Sequence, residues 1–214
     1  MKETPDATHI ASAAMDFACL IVAGGRSSRM GEDKITATVG ADRVLDRVLA
    51  ACAPAPVTVA GPPHLAAVLP AGGVLVREDP PFGGPVAGLR AAVAALPQGV
   101  PVVAVLAGDQ PFVDAAALAE LRAALTAEPG ADAAAYVTDD GVLQFLCSVW
   151  RAPALRAQLA SARDSMRSVY AGARVVQVPD QRAVSADIDT PEDLATARER
   201  ITTAGEDAPH RHTH

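Results

Sequence analysis

A doubly wound α/β domain, with a mostly parallel sheet and helices on both of its faces, is the fold class that these 214 residues predict. Three observations predict it. Runs such as FACLIVA (17–23) and VPVVAVLAG (100–108) are apolar throughout, as strands buried on both faces must be. Segments with helical apolar spacing separate the runs, which is the pattern of right-handed βαβ crossovers. Near position 140 the alternation breaks into two β-type runs joined by an Asp-Asp-Gly turn, which predicts an antiparallel hairpin inserted in the parallel pattern.

Each element follows from its residues. FACLIVA is ended by glycines and makes the first strand. ADRVLDRVLAACA (41–53) carries Val44, Leu45, Val48 and Leu49 on one helical face. PVTVAG (56–61) is short and β-branched, HLAAVL (64–69) is a helical turn or two, and GVLVRE (73–78) is a strand. VAGLRAAVAAL (86–96) is an Ala-rich helix, and 100–108 is the most apolar strand of the chain. AAALAELRAALTA (115–127) is a helix for which Asp114 is the natural N-cap. The hairpin spans 133–150 and turns at Asp139-Asp140-Gly141, with Trp150, the single tryptophan, expected to pack in the core. Helical stretches around 152–160 and 165–171, a strand at 174–178 and a helix at 190–201 complete the order. The last helix is well marked at its start: Thr190 as N-cap, Pro191 in the first helical position and Asp193 at capping-box spacing.

Composition narrows the function. Half the residues are hydrophobic but only 3% are aromatic, so Ala, Val and Leu build the core. A chain of this length buries about 70% of its unfolded surface and needs no disulfide or structural metal to hold together. Cys19, Cys52 and Cys147 are far apart and odd in number, which suits buried thiols in a reducing compartment. No apolar run reaches the roughly 18 residues of a membrane span, and the charged start lacks an apolar targeting core. A cytoplasmic location is expected. The net charge of −7 argues against a nucleic-acid or anionic-membrane partner. Residues 1–16 read as a disordered leader and 204–214, with His210, His212 and His214, as a disordered tail, leaving one domain over 17–203.

The stretch IVAGGRSSRMGEDK (21–34) carries chemistry. It follows a buried strand with three glycines, two arginines and a lysine. Its spacing is wrong for a Walker A loop, since Gly25 and Gly31 are one residue too far apart and Glu32 stands where lysine should be. It is also wrong for a dinucleotide fingerprint. What remains is a loop that wraps a nucleotide triphosphate, with the Gly24 and Gly25 backbone approaching phosphate oxygens. Arg29 offers a planar fork for two oxygens, and Lys34 a mobile point charge.

Other positions fit that reading. Asp109 ends a buried strand, where a carboxylate is costly unless it meets a cation. Asp79 precedes Pro80-Pro81 and then Gly83-Gly84, a rigid approach to a base-facing loop. Asp187 and Asp189 flank Ile188, so extended alternation sends both carboxylates to one face. Arg163, Arg167 and Arg174 are candidates for a second basic patch facing an anionic acceptor.

VAGGRSSRMGEDK resembles the LAGGxSxRMGxDK signature of the molybdenum cofactor guanylyltransferase family, within nucleotidyltransferases of the GT-A-like, nucleotide-diphospho-sugar transferase-like fold. REDPPFGGPVAGL (77–89), LAGDQPFV (106–113) and DIDTPEDL (187–194) look like later segments of the same family, in order, and the likeness covers about 17–201. It implies Mg²⁺-dependent transfer of GMP from GTP to the terminal phosphate of a molybdopterin-type cofactor, with pyrophosphate released. Carried over, the nucleotide contacts fall on Val22, Ala23, Gly24, Lys34, Asp79 and Asp109, and Asp109 also corresponds to a Mg²⁺ ligand. With the loop reading, Gly25 and Arg29 join the nucleotide contacts; Arg29, Lys34 and Asp109 are the expected catalytic residues, and Asp109 and Asp189 the expected metal ligands. Two departures stand out: Ala60 where the family can have Asn, and Asp187 and Asp189 where it has two asparagines. A sister cytidylyltransferase using CTP stays open, because DQP and DIDTP also look like that type. So does a nucleotide-binding accessory module without catalysis. A protein that delivers the cofactor is a further candidate partner.

Overall fold

In the computed structural model of the protein, residues 16–24, 34–79 and 83–206 are described. The first apolar run forms β1 (Phe17–Val22), and its alternating side chains enter opposite faces of the sheet. After residue 34 the chain makes a small antiparallel ribbon, β2 (Thr38–Val39) and β3 (Asp42–Arg43). Helix α1 (Val44–Cys52) follows directly. The helical spacing predicts a start at 41, but Gly40 turns with φ of 66° and Asp42-Arg43 is drawn into the ribbon, so the helix begins at Val44. Next come β4 (Val57–Ala60), a 3-10 turn at Pro63–Val68, β5 (Val74–Val76), α2 (Gly84–Ala94) and β6 (Val102–Ala107). The second half holds α3 (Ala115–Ala127), β7 (Ala133–Val137), β8 (Leu143–Arg151), α4 (Ala152–Ser161), α5 (Met166–Val169), β9 (Val175–Pro179) and α6 (Pro191–Glu206).

The main sheet has seven strands in the order β5-β4-β1-β6-β8-β7-β9. Only β8 runs against the rest. The predicted hairpin exists, but it is part of the sheet itself. Its longer second arm sits between β6 and β7, and Cys147–Trp150 are buried there. Sequence patterning marks a hairpin but not which arm pairs with the parallel strands.

Both faces are covered. On one, Cys19 and Ile21 of β1 pack with Leu45, Val48, Leu118 and Leu121 of α1 and α3. On the other, Leu20 and Val22 pack with Leu89 of α2, Leu155 of α4 and Val169 of α5. Trp150 is fully buried on this second side; its indole N–H donates to Ser148 and Tyr170, whose ring lies edge-on at 4.7 Å. A third cluster joins Val39 of the ribbon and Val44 to Ile188, Leu194 and Ala197, binding the ribbon to the start of α6. No helix among the described residues is long and apolar enough to cross a membrane.

Strand direction sorts the sheet into two edges. The carboxyl ends of β1, β4, β5, β6, β7 and β9 share one edge, and the hairpin turn lies there too. Arg174, just before β9, is at the opposite edge, where it pairs with Asp132 at 3.7 Å. Of the basic patch expected from Arg163, Arg167 and Arg174, Arg174 lies away from the ligand edge: β9 runs parallel to β6 and carries it to the far end.

Candidate functional site

β1 and β6 are neighbours, with Val22 opposite Ala107, so both end at the same place. Beyond them lie Ala23-Gly24 and Gly108-Asp109. The Gly108 N–H donates to the Val22 carbonyl at 2.9 Å. A Cβ on Gly108 would stand 2.9 Å from the Ala23 Cβ, so only glycine lets the two turns touch. This contact sets Asp109 beside the start of the glycine-rich loop.

The late segment is brought to the same point. The Ile188 N–H donates to the Asp109 carbonyl at 3.1 Å, and the Ile188 side chain is buried in the third cluster. Residues 187–189 belong to no strand, yet the extended alternation holds: Ile188 turns inward while Asp187 and Asp189 are exposed. One carboxylate oxygen each from Asp109, Asp187 and Asp189 lies within 4.8 Å of the others. Lys34 sits among them, its Nζ 2.6 Å from Asp109 Oδ2 and 2.6 Å from Asp189 Oδ1. The ribbon that follows Lys34 and the segment holding Asp189 share one apolar cluster, which explains why residues 155 apart in sequence meet.

The electrostatics follow the crowding. Burial pulls the Lys34 pKa down, but the carboxylates of Asp109 and then Asp189 outweigh it and hold the pKa above its ordinary value. Asp187 is pushed up, first by loss of solvent around its carboxyl and then by repulsion from Asp109 and Asp189. Three carboxylates so close favour a cation among them.

Sequence reasoning missed the residues that position this cluster. Gln110 is 3% exposed; its side-chain oxygen accepts from Ala107 N–H and its amide donates to the Ser185 carbonyl. It ties the turn after β6 to the late segment. Asp180 is also buried and accepts from the Val184 and Ser185 N–H groups, at 2.8 and 2.9 Å, and from the Ser185 hydroxyl. The available signal is a turn-type aspartate at a strand end with a serine five residues on. The same turn holds Ala183 at φ of 48°, a conformation that needs such support. Asp180→Ala strands three donors and should cost about 3 kcal/mol of stability, read as a lower urea midpoint. An unchanged midpoint would show the turn to be held by other contacts.

Both cap assignments hold. Thr190 and Asp193 exchange hydrogen bonds in a capping box, and the same Asp193 carboxylate accepts from the Asp189 N–H at 3.1 Å. Asp114 caps α3 by accepting from Ala117 N–H at 2.7 Å and pairs with Arg182. Asp109 is therefore not the cap of that helix.

Of the predicted site residues, Val22, Ala23, Gly24, Lys34, Asp109 and Asp189 converge. Asp79 is exposed past β5, on the same edge but two strands from β1. Gly25 and Arg29 lie outside the described residues. Ala60 is buried at the end of β4, where a Cβ on Gly88 would stand 3.4 Å from it, so helix and strand pack closely at that point. A groove of about 450 Å³ runs between the hairpin turn and residues 180–187, lined by Thr138, Asp139, Gln144, Ser185 and Asp187. A larger hollow of about 720 Å³ lies between α2 and α4, away from the carboxylate cluster. The smaller one shares Asp187 with the carboxylate cluster.

The donor set suits a hard divalent cation. All three groups are carboxylates, and an ammonium already stands between two of them as a stand-in charge. Asp109, Asp189 and Asp187 could hold such an ion.

Residues 19–186 match the family described as the MobA-like NTP transferase domain. Over 112 residues the chain is 35% identical to a molybdenum cofactor guanylyltransferase of Sinorhizobium fredii, covering 50% of this chain and 51% of that protein. Over 121 residues it is 36% identical to one of Rhizobium leguminosarum, covering 51% and 53%. The chain thus spans about half the length of the curated relatives it matches. Among solved structures, the molybdopterin-guanine dinucleotide biosynthesis protein A of Archaeoglobus fulgidus superposes with a TM-score of 0.69 at 21% identity, over 87% of this chain and 99% of that one. That likeness extends to the fold.

Proposed function

This chain belongs to the MobA-like NTP transferase family, and from that premise we propose that it transfers GMP from GTP to the terminal phosphate of a molybdopterin-type cofactor. An acceptor phosphate oxygen forms a bond to the α-phosphorus of GTP. The α–β phosphoanhydride bond breaks in line, and pyrophosphate leaves with the electron pair. The carrying observation is the Lys34–Asp109–Asp189 cluster beside the turn after β1. Relatives named guanylyltransferases support the choice of GTP.

The residues divide the work. Backbone groups of Val22–Gly25 cradle the nucleotide, and Arg29 grips phosphate oxygens. Lys34 stabilises charge that builds on the α-phosphate and the departing pyrophosphate. Asp109 and Asp189 would hold Mg²⁺, which when bound would neutralise phosphate charge. The acceptor enters along the groove between the hairpin turn and Asp187. No nucleophilic side chain is required, since the acceptor phosphate is itself the nucleophile. The three buried, unpaired thiols suit a cytoplasmic setting.

Asp79 is assigned to the base. Its carboxylate can accept from two adjacent N–H donors of guanine, and cytosine offers no such pair. GTP should therefore give a higher kcat/KM than CTP, and Asp79→Ala should erase most of the difference. A kcat/KM for CTP equal to or above that for GTP would instead make the protein a cytidylyltransferase. Failure to turn over either nucleotide with a molybdopterin acceptor would leave a binding module.

A further inference from the structure

The Lys34 ammonium occupies the place where a metal would contact Asp109 and Asp189, 2.6 Å from an oxygen of each. A dication among the same oxygens would lie against that ammonium, and the two positive charges repel. Asp187 completes the cluster without an ion pair to Lys34. One ammonium therefore leaves the three carboxylates short of positive charge.

We propose that Lys34 is the resident counter-ion of this cluster and exchanges with the divalent cation, so that metal and nucleotide load together. In the metal-free protein, Lys34 satisfies Asp109 and Asp189 and blocks the ion's seat. An arriving triphosphate draws the ammonium onto its own oxygens and vacates that seat. The residue type fits the task. Lys34 is one of two lysines, with Lys2, among 18 basic residues. A compact ammonium on a flexible stem can swing between carboxylate and phosphate, whereas a guanidinium fork is held by its planar geometry. The inference rests on the transferase reading for its nucleotide half, but the exchange itself concerns only Lys34, the three carboxylates and the ion.

The test uses metal alone. Mn²⁺ binding to the full chain is read from the electron paramagnetic resonance of the unbound ion. Lys34→Met should bind Mn²⁺ about tenfold more tightly than the wild type, while Arg43→Met, which removes the same charge from the start of α1, should stay within about twofold. A second arm needs no variant at residue 34. Wild-type protein labelled at lysine Cε gives two side-chain signals, assigned with Lys2→Arg. Saturating Mg²⁺ should shift the Lys34 signal and leave that of Lys2 in place. Equal or weaker Mn²⁺ binding by Lys34→Met overturns the proposal, as does an equal gain in Arg43→Met. So does saturation by Mg²⁺ with the Lys34 signal unmoved. Neither arm contains GTP, so a failed transferase assay leaves this result standing, and a failed exchange leaves the transferase reading standing.

Discussion

Asp109→Asn should lower metal-dependent nucleotidyl transfer by about 10³-fold while the protein still folds. The substitution keeps the shape of the side chain and removes its charge. It removes a proposed metal ligand and takes away one of the two anchors of Lys34. The fold should survive because Asp114, not Asp109, caps α3. The contact that Asp109 makes to Ile188 is through its backbone carbonyl, which asparagine retains. The measurement is transfer of label from the α-phosphate of GTP across a Mg²⁺ titration, with a melting curve beside it. Asp189→Ala should cost less, since Asp189 is the more exposed partner of Lys34. Normal transfer by Asp109→Asn at every Mg²⁺ concentration would remove Asp109 from the mechanism.

Lys34→Ala should lower kcat by about 10²-fold, because the role proposed for the ammonium is to stabilise charge that grows only as the anhydride bond breaks. From its position in a loop alone, little effect on stability is expected. The structure changes that expectation. Lys34 pairs with two of the three clustered carboxylates, and without it the repulsion among Asp109, Asp187 and Asp189 grows. Asp189 is half exposed, so solvent screens part of the effect, and the loss should be about 1 kcal/mol. Added Mg²⁺ should restore the melting temperature of the variant, but not its kcat. A variant with wild-type kcat would exclude Lys34 from transition-state stabilisation. A lowered melting temperature that Mg²⁺ leaves unchanged would place the stabilising role elsewhere than in the carboxylates.

The parts of the site that were legible in the sequence are those whose chemistry is local. The turn after β1, the carboxylate after β6 and the capping box at Thr190 each lie within a few residues of the strand or helix end that makes them. The alternation of Asp187, Ile188 and Asp189 was legible for the same reason, although no strand forms there. Gln110 and Asp180 were not legible. Each acts through hydrogen bonds to groups that are unremarkable until the chain is folded, such as the Ser185 carbonyl. The edge on which Arg174 lies was not legible for a related cause, since the direction of β9 sets it.

By itself the sequence determined the layered α/β class, the order of its elements, the glycine-rich, basic stretch after the first strand and the presence of carboxylates at strand ends. Periodicity, backbone preference and residue charge are properties of short segments, and they act before distant parts of the chain meet. Tertiary structure alone decided that β8 enters the middle of the sheet, and that Lys34 stands between Asp109 and Asp189. The reason is packing. Ile188, Val39 and Leu194 are buried together, and burying them carries their charged neighbours to one point, a meeting set by the shared core rather than by any one segment.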